Sequence, residues 1–299
     1  MHGVIPPLVT PLDADGDVDR RSLERLIGFQ LDAGVHGVFV GGSTGEIALL
    51  DSAQRHALVE VAVGTVAGAV PVLVGAIDTG TRRVIEQARI AAGQGADAVV
   101  VTAPFYVAPN DAEIVAHFRA VHAALDVPVV AYDIPSAVRW RVGPDVVAAL
   151  AAERLVVALK DSSGDLAGFR ETLRRAPGLP ALTGSEVLAD VAVQLGAAGI
   201  VPGLGNVDPH GYVRLHAAAA AGDRAAAAAE QERLTRLFTI VDVADRQRIG
   251  FTAGALGAFK AALLLRGVID GAATNAPLLP LDDAEIKAVA AILDELGLR

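Results

Sequence analysis

Residues 128–162, PVVAYDIPSAVRWRVGPDVVAALAAERLVVALKDS, form the stretch that decides the fold. Two apolar runs, PVVAYDIP from Pro128 and LVVALKDS from Leu155, are separated by a segment long enough for a helix. Such near-continuous apolar runs are typical of parallel strands that are buried on both faces of a sheet. The stretch therefore predicts a strand, a crossover helix and a second parallel strand.

The same pattern recurs on both sides of this unit, with helix-start signals such as Asp51 and Asn110 between the apolar runs. Eight strands that alternate with helices are the outline of a (β/α)8 barrel. The sequence thus predicts an α/β fold, a (β/α)8 TIM barrel with a C-terminal helical appendage. The six other runs are GVIPPLV from Gly3, GVFVG from Gly37, PVLVGA from Pro71, DAVVVTAP from Asp97, PALTGS from Pro180 and GIVPGL from Gly199.

The character of the sequence changes after Gly205, where helix formers dominate. We therefore expect residues 1–206 to form the barrel catalytic core. Residues 207–299 are expected to form the final barrel helix and a C-terminal helical bundle.

Composition excludes several classes of function. The formal net charge is −10 and the basic residues are scattered, so nucleic acid is not an expected partner. The absence of cysteine excludes disulfides, thiolate metal sites and a cysteine nucleophile. Neither a secretory leader nor an apolar stretch long enough to cross a membrane is recognisable, which predicts a cytoplasmic protein without a membrane partner.

Polar residues at the strand ends are the candidates for chemistry, because the carboxyl ends of barrel strands form the active-site face. We expect all of these side chains to face one mouth. They are Ser43, Thr44 and Glu46 after the second strand, Tyr106 after the fourth, Tyr132 and Asp133 at the fifth, Lys160 and Asp161 at the sixth, and Thr183, Ser185 and Glu186 at the seventh.

Lys160 is the first candidate for catalysis. A lysine at the end of a buried strand lies in apolar surroundings that favour the neutral amine needed to attack a carbonyl. The alternative is a structural lysine, paired for example with Asp161. Tyr132, at the end of the neighbouring strand, favours catalysis because its phenol can move protons during aldol chemistry.

The loop GGSTGE supplies a device for binding an acid. Glycines such as Gly42 let the backbone approach a ligand and offer successive N–H groups to a carboxylate. Ser43 and Thr44 add hydroxyl donors. A tight turn between strand and helix is the alternative, since the loop matches no standard phosphate-binding motif.

The motifs GGSTGE, APFY, YDIPS and ALKDSSGD, in this order and spacing, resemble the dihydrodipicolinate synthase / N-acetylneuraminate lyase family over nearly the whole chain. The resemblance implies that Lys160 forms a Schiff base with pyruvate or a pyruvyl group, without a cofactor or metal. Tyr132 becomes the acid/base phenol, and Ser43 and Thr44 bind the carboxylate. Thr44 also relays protons to Tyr106 of a neighbouring subunit, which implies a homodimer or homotetramer.

The sequence departs from the synthases of that family at Ala137, where they carry an arginine that holds aspartate semialdehyde. Arg139 is a doubtful replacement, because bidentate contacts tolerate little displacement. Glu186, which resembles a carboxylate that meets sugar hydroxyls in related lyases, favours a polyhydroxy 2-oxo acid, with Ser185 assisting. A helix-capping role for Glu186 is the alternative. Val201, in the eighth strand, completes the expected binding residues.

The predicted function is therefore a Schiff-base aldolase or lyase that acts on pyruvate and an aldehyde, or on a 2-oxo-3-deoxy sugar acid. A 4-hydroxy-tetrahydrodipicolinate synthase and a sugar-acid dehydratase are alternatives on the same site. A metal-dependent enzyme, using Glu46, Asp133, Asp161 and Glu186 as ligands, and a non-enzymatic sensor are less favoured.

Overall fold

The computed structural model describes residues 1–299 and contains eight parallel strands in one sheet with helices around it. Each of the eight apolar runs contains one strand, so the predicted (β/α)8 barrel is confirmed. The strands are β1 (Gly3–Val4), β2 (Val38–Val40), β3 (Val72–Gly75), β4 (Ala98–Thr102), β5 (Val129–Asp133), β6 (Ala158–Asp161), β7 (Ala181–Thr183) and β8 (Gly199–Ile200).

The sheet closes on itself. β1 pairs with β8, and just beyond β1 the chain makes a parallel bridge from Pro7 to Phe39 of β2, where the Leu8 N–H donates to the Phe39 carbonyl at 2.8 Å. Buried Asn206 follows β8 and secures the closure, because its side chain accepts from the Val9 N–H at 2.9 Å and donates to the Pro7 carbonyl at 2.7 Å. Closure leaves no free strand edge.

The helices begin where the sequence carries capping residues. Asp51 and Asn110 cap α2 and α4 in capping boxes with Gln54 and Glu113, which confirms both start signals. The helices up to β8 are α1 (Arg20–Asp32), α2 (Ser52–Val66), α3 (Thr81–Gly93), α4 (Asp111–Ala123), α5 (Pro135–Val138), α6 (Pro144–Ala152), α7 (Leu166–Arg175) and α8 (Ala189–Gln194).

Four helices follow the barrel strands, so the expected helical appendage is present. They are α9 (Pro209–Ala220), α10 (Arg224–Phe238), α11 (Phe251–Leu265) and α12 (Asp283–Glu295). α9 packs against β1 and β8, whereas α11 packs against α12 and is buried without interruption from Ala253 to Leu263. None of the helices combines the length and apolar character that crossing a bilayer requires.

Candidate active site

Lys160 and Tyr132 lie side by side at the mouth of the barrel, because they are register partners on β6 and β5. The Lys160 Nζ lies 4.0 Å from the centre of the Tyr132 ring and 4.9 Å from that of Phe39. All three side chains are buried. The two aromatic rings exclude water from the amine, and their faces also suit the cation that an iminium at Nζ carries.

Asp133 and Asp161 follow these residues on the same strands but turn to the opposite face, because successive side chains of a strand alternate. Asp133 accepts from the Arg141 guanidinium at 2.7 Å and from the Val142 N–H at 2.9 Å. Asp161 accepts from the Ser163 N–H at 2.8 Å, and burial raises its pKa. The expectation that every strand-end polar side chain faces the mouth is therefore wrong for these two and for Thr183, the register partner of Asp161. It also fails for the Glu46 carboxylate, which pairs with Lys260.

The GGSTGE loop brings hydroxyls and free backbone donors to the mouth. The Ser43 Oγ lies 3.3 Å from the Tyr132 hydroxyl, and the N–H groups of Ser43 and Thr44 donate to no acceptor within the protein. A β-carbon at Gly42 would lie 2.7 Å from the Phe39 ring, so only glycine lets the loop run this close to the site. The arrangement can accept a carboxylate beside the lysine.

Glu46, in the same loop, turns away from the mouth and into the protein. Its Oε1 lies 2.5 Å from the Nζ of Lys260 on α11, and its Oε2 accepts from the Asn275 N–H at 2.7 Å. Burial lowers the pKa of Lys260, and the negative charge of Glu46 opposes that shift. Sequence reasoning missed Lys260, although it is the only charged residue within α11 and could have been found on that signal.

Glu186 lies in the loop after β7 and reaches toward the GGSTGE loop. Its Oε1 accepts from the Gly203 N–H at 2.9 Å, and a β-carbon on Gly203 would lie 3.5 Å from the Thr44 Oγ1, so the three residues converge. Burial raises the pKa of the Glu186 carboxyl, while the Gly203 N–H and the charge of Lys160 oppose the rise. Sequence reasoning missed Gly203, which lies in an unremarkable GLGN segment.

Ser185 and Val201, the other two predicted binding residues beyond β6, follow strands β7 and β8. Ser185 lines a separate small cavity together with Asp161 and Thr183, and its N–H donates to the Thr183 hydroxyl at 3.1 Å. Val201 is buried just after β8, where its N–H donates to the Thr183 carbonyl at 2.7 Å. Their contact with a substrate stays a prediction.

Tyr106 points into solvent with 94% of its surface exposed. Its backbone adopts a φ of +68°, in the left-handed region that favours glycine and is strained for an aromatic residue. The loop is nevertheless held in place, because the Trp140 indole donates to the Val107 carbonyl at 2.7 Å. Within one subunit, therefore, Tyr106 stands apart from the residues around Lys160.

The rim of the mouth carries Ala137 where the synthase pattern has an arginine. Ala137 lies on α5 and lines a cavity of about 330 Å³ that Tyr132 and Ser43 also line. Arg139 follows α5, is exposed, and its guanidinium makes no ion pair within the chain. No arginine is among the residues that line this cavity.

The four carboxylates considered as metal ligands do not converge. Glu46 pairs with Lys260 and Asp133 with Arg141, while Asp161 and Glu186 accept from separate backbone N–H groups. No group of three or more histidine, aspartate or glutamate side chains is arranged to hold a metal ion. The arrangement thus gives no support to the metal-dependent alternative.

Comparison with known proteins agrees with the motifs. The model of the dihydrodipicolinate synthetase family matches residues 1–296. A DapA-like lyase of Halobacterium salinarum is 39% identical over 299 residues, which are 100% of this chain and 95% of that protein. A 4-hydroxy-tetrahydrodipicolinate synthase of Stenotrophomonas maltophilia is 38% identical over 235 residues, 78% of this chain and 79% of that protein.

Solved structures share the whole fold. YagE, a prophage protein from E. coli K12 whose crystal structure contains pyruvate, superposes with a TM-score of 0.92 at 29% identity, covering 100% of this chain and 99% of that one. A monomeric variant of dihydrodipicolinate synthase gives a TM-score of 0.92 at 27% identity, covering 100% and 98%. The resemblance drawn from the motifs is confirmed, and the chain belongs to the dihydrodipicolinate synthetase family.

Proposed function

We propose that this protein is a class I aldolase-type lyase that uses Lys160 to form a Schiff base with pyruvate, or with the pyruvyl end of a larger 2-oxo acid. The observation that carries the proposal is the position of the Lys160 Nζ, 4.0 Å from the Tyr132 ring centre in a pocket closed by Phe39. An amine held beside a phenol and shielded from water suits carbonyl attack followed by proton transfer.

The roles follow from the chemistry. The Lys160 amine adds to the keto carbon, and loss of water gives the iminium. Water then takes up a C3 proton, which gives the enamine, and this proton later replaces the one that Tyr132 donates. The enamine carbon attacks the aldehyde carbon, and the Tyr132 hydroxyl gives its proton to the aldehyde oxygen. Water then releases the 4-hydroxy-2-oxo acid. In this proposal the free N–H groups of Ser43 and Thr44, and their hydroxyls, hold the substrate carboxylate.

Pyruvate is the favoured partner because a structural neighbour is described in complex with pyruvate. Relatives named 4-hydroxy-tetrahydrodipicolinate synthase make aspartate semialdehyde the alternative aldehyde. Ala137 argues against it, since a buried anionic tail without a guanidinium partner is costly. Cleavage of a deoxy sugar acid, or its dehydration, depends on Glu186, whose Oε1 already accepts the Gly203 N–H.

We also propose that the active form is a homo-oligomer, a dimer or tetramer, in which Tyr106 completes the site of the neighbouring subunit. Its exposure and its strained backbone support this role, because strain of this kind is typically retained at functional positions.

The test is reductive trapping. The protein is treated with borohydride and pyruvate and its intact mass is measured, after which the modified peptide is mapped. The chain has three lysines, Lys160, Lys260 and Lys287, so the site of the adduct is unambiguous. We expect one reduced pyruvyl group, on Lys160, and none in Lys160→Ala. An adduct on Lys260, or activity that chelators abolish without any adduct, would overturn the proposal.

A further inference from the structure

The cavity beside Tyr132 has a wall that is almost entirely apolar. It has a volume of about 330 Å³ and opens next to the Tyr132 and Ser43 hydroxyls. Its apolar side chains come from four strand-end loops, from α11 and from the segment before α12. The main ones are Ile47, Ile77, Phe105, Ile134, Leu256 and Leu278.

Each polar side chain of this wall either already has a partner within the protein or is uncharged. Glu46 is the only charged residue that lines the cavity, and both of its oxygens are used, by Lys260 and by the Asn275 N–H. Ser43 and Tyr132 are within hydrogen-bond distance of one another. The two remaining hydroxyls, of Thr102 and Thr252, cannot pair with an anion by charge.

The position of the cavity suits the binding of the aldehyde's tail. In the proposed reaction the aldehyde oxygen must receive the Tyr132 proton, so the aldehyde carbon lies beside that hydroxyl and its tail extends away from Lys160. The cavity is lined by Tyr132 and Ser43 but not by Lys160, which fits a space for the aldehyde tail. A tail rich in hydroxyls would leave hydrogen-bonding groups unpaired there, and a carboxylate tail would lack a counter-charge.

We propose that the aldehyde partner carries an apolar tail, such as an alkyl chain or an aryl ring, and that the cavity selects it. This inference rests on the proposed Schiff-base function. The favoured product is a 4-hydroxy-2-oxo acid with an apolar substituent at C4, formed from pyruvate and the aldehyde with one new carbon–carbon bond. Each methylene that enters the cavity raises kcat/KM about fourfold.

The experiment measures kcat/KM for four aldehydes with saturating pyruvate: hexanal, benzaldehyde, glyceraldehyde and succinic semialdehyde. We expect hexanal and benzaldehyde to exceed the other two by about tenfold or more. Equal values, or a preference for glyceraldehyde or succinic semialdehyde, would overturn the inference. The pyruvate adduct on Lys160 is measured in parallel: if it forms, the proposed function stands whatever the aldehyde series shows, and if it does not, that function fails.

Two neighbouring leucines give a matched pair of variants. Leu278 lines the cavity, whereas Leu279 is 53% exposed and lies outside it. We expect Leu278→Ser to lower kcat/KM for hexanal about fivefold to tenfold more than it lowers that for glyceraldehyde, and Leu279→Ser to change neither. Equal losses in the two variants, or an equal loss for both aldehydes, would contradict a selective role of the cavity.

Ala137→Arg provides the reverse test. Ala137 is exposed at the rim, so an arginine can be accommodated, and its guanidinium would supply the missing counter-charge. We expect the ratio of kcat/KM for succinic semialdehyde to that for hexanal to rise about tenfold or more. An unchanged ratio in a folded variant that still forms the Lys160 adduct would show that this rim does not govern tail selection.

Discussion

Lys260 and Glu46 form an ion pair that is completely inaccessible to solvent, with 2.5 Å between Nζ and Oε1. The pair joins helix α11 of the appendage to the GGSTGE loop of the barrel mouth. Both side chains also bind the segment before α12. The Glu46 Oε2 accepts from the Asn275 N–H, and the Lys260 Nζ donates to the Ala273 carbonyl. In our proposal this loop holds the substrate carboxylate. The buried Lys260–Glu46 ion pair thus fixes the loop to the helices that follow the barrel.

Lys260→Met should therefore destabilise the protein strongly. The substitution leaves the Glu46 carboxylate buried without its counter-charge, and we expect the free energy of unfolding to fall by about 3–5 kcal/mol. Urea unfolding measures the change. Lys287→Met, at an exposed position on α12, is the control and should change stability by less than about 0.5 kcal/mol. The double variant with Glu46→Gln should recover part of the loss, and a single variant as stable as the control would show that the pair is dispensable.

Tyr132→Phe should separate Schiff-base formation from bond making. The ring that packs against Lys160 remains, so borohydride should still trap pyruvate, but the proton donor is lost. We expect turnover in the aldol reaction to fall by a factor of about 10²–10⁴. Steady-state kinetics and intact mass on the same sample give both quantities. Full activity in this variant would remove Tyr132 from the acid/base role.

Tyr106 should act across subunits, and two inactive variants can test this by complementation. Tyr106→Phe and Lys160→Ala are each expected to be nearly inactive alone. In a mixed dimer the site with an intact Lys160 receives Tyr106 from the other chain, so co-refolded mixtures should regain up to about a quarter of the wild-type activity. A mixture no more active than its components, or an active isolated monomer, would contradict the proposal.

Protein stability should fall in mild acid because of His117 on α4. Its ring is 3% exposed, and burial lowers its pKa from 6.5 to about 4. Between pH 6.5 and pH 4, therefore, His117 is protonated in the unfolded chain but neutral in the folded protein. The contribution of His117 to the free energy of unfolding is complete above pH 6.5 and is lost as the pH falls toward 4. The loss is at most about 3 kcal/mol.

Urea unfolding between pH 4 and pH 7 checks this expectation. His117→Leu should flatten the dependence across this window, whereas His122→Gln, at an exposed position on the same helix, should leave it unchanged. A wild-type slope that persists in His117→Leu would assign the effect to other groups.

The barrel and the adjacent strand-end positions of Lys160 and Tyr132 were predictable from the sequence because both depend on local patterns. Apolar runs located all eight strands, and Lys160 and Tyr132 followed from their strand ends. The orientation of Asp133 and Asp161 was also within reach, since each directly follows an inward-facing residue and alternation places it on the other face.

Contacts between distant segments were not predictable. In the sequence nothing distinguishes Phe39 from other apolar strand residues, and only the fold places its ring next to the Lys160 amine. Lys260 is separated from Glu46 by more than two hundred residues. The apolar cavity combines side chains from loops and helices along most of the chain. Such features depend on tertiary packing, which a single sequence without its fold does not display.

Asn206 has a consequence for how the chain can fold during synthesis. Its side chain secures Pro7 and Val9, which are separated from it by 199 and 197 residues, so the ring of strands cannot close until almost the whole barrel has left the ribosome. Until then β1 lacks its partner and the edge of the growing sheet stays open to other nascent chains. A protein with this closure should depend on slow translation or on chaperones more than its final stability suggests.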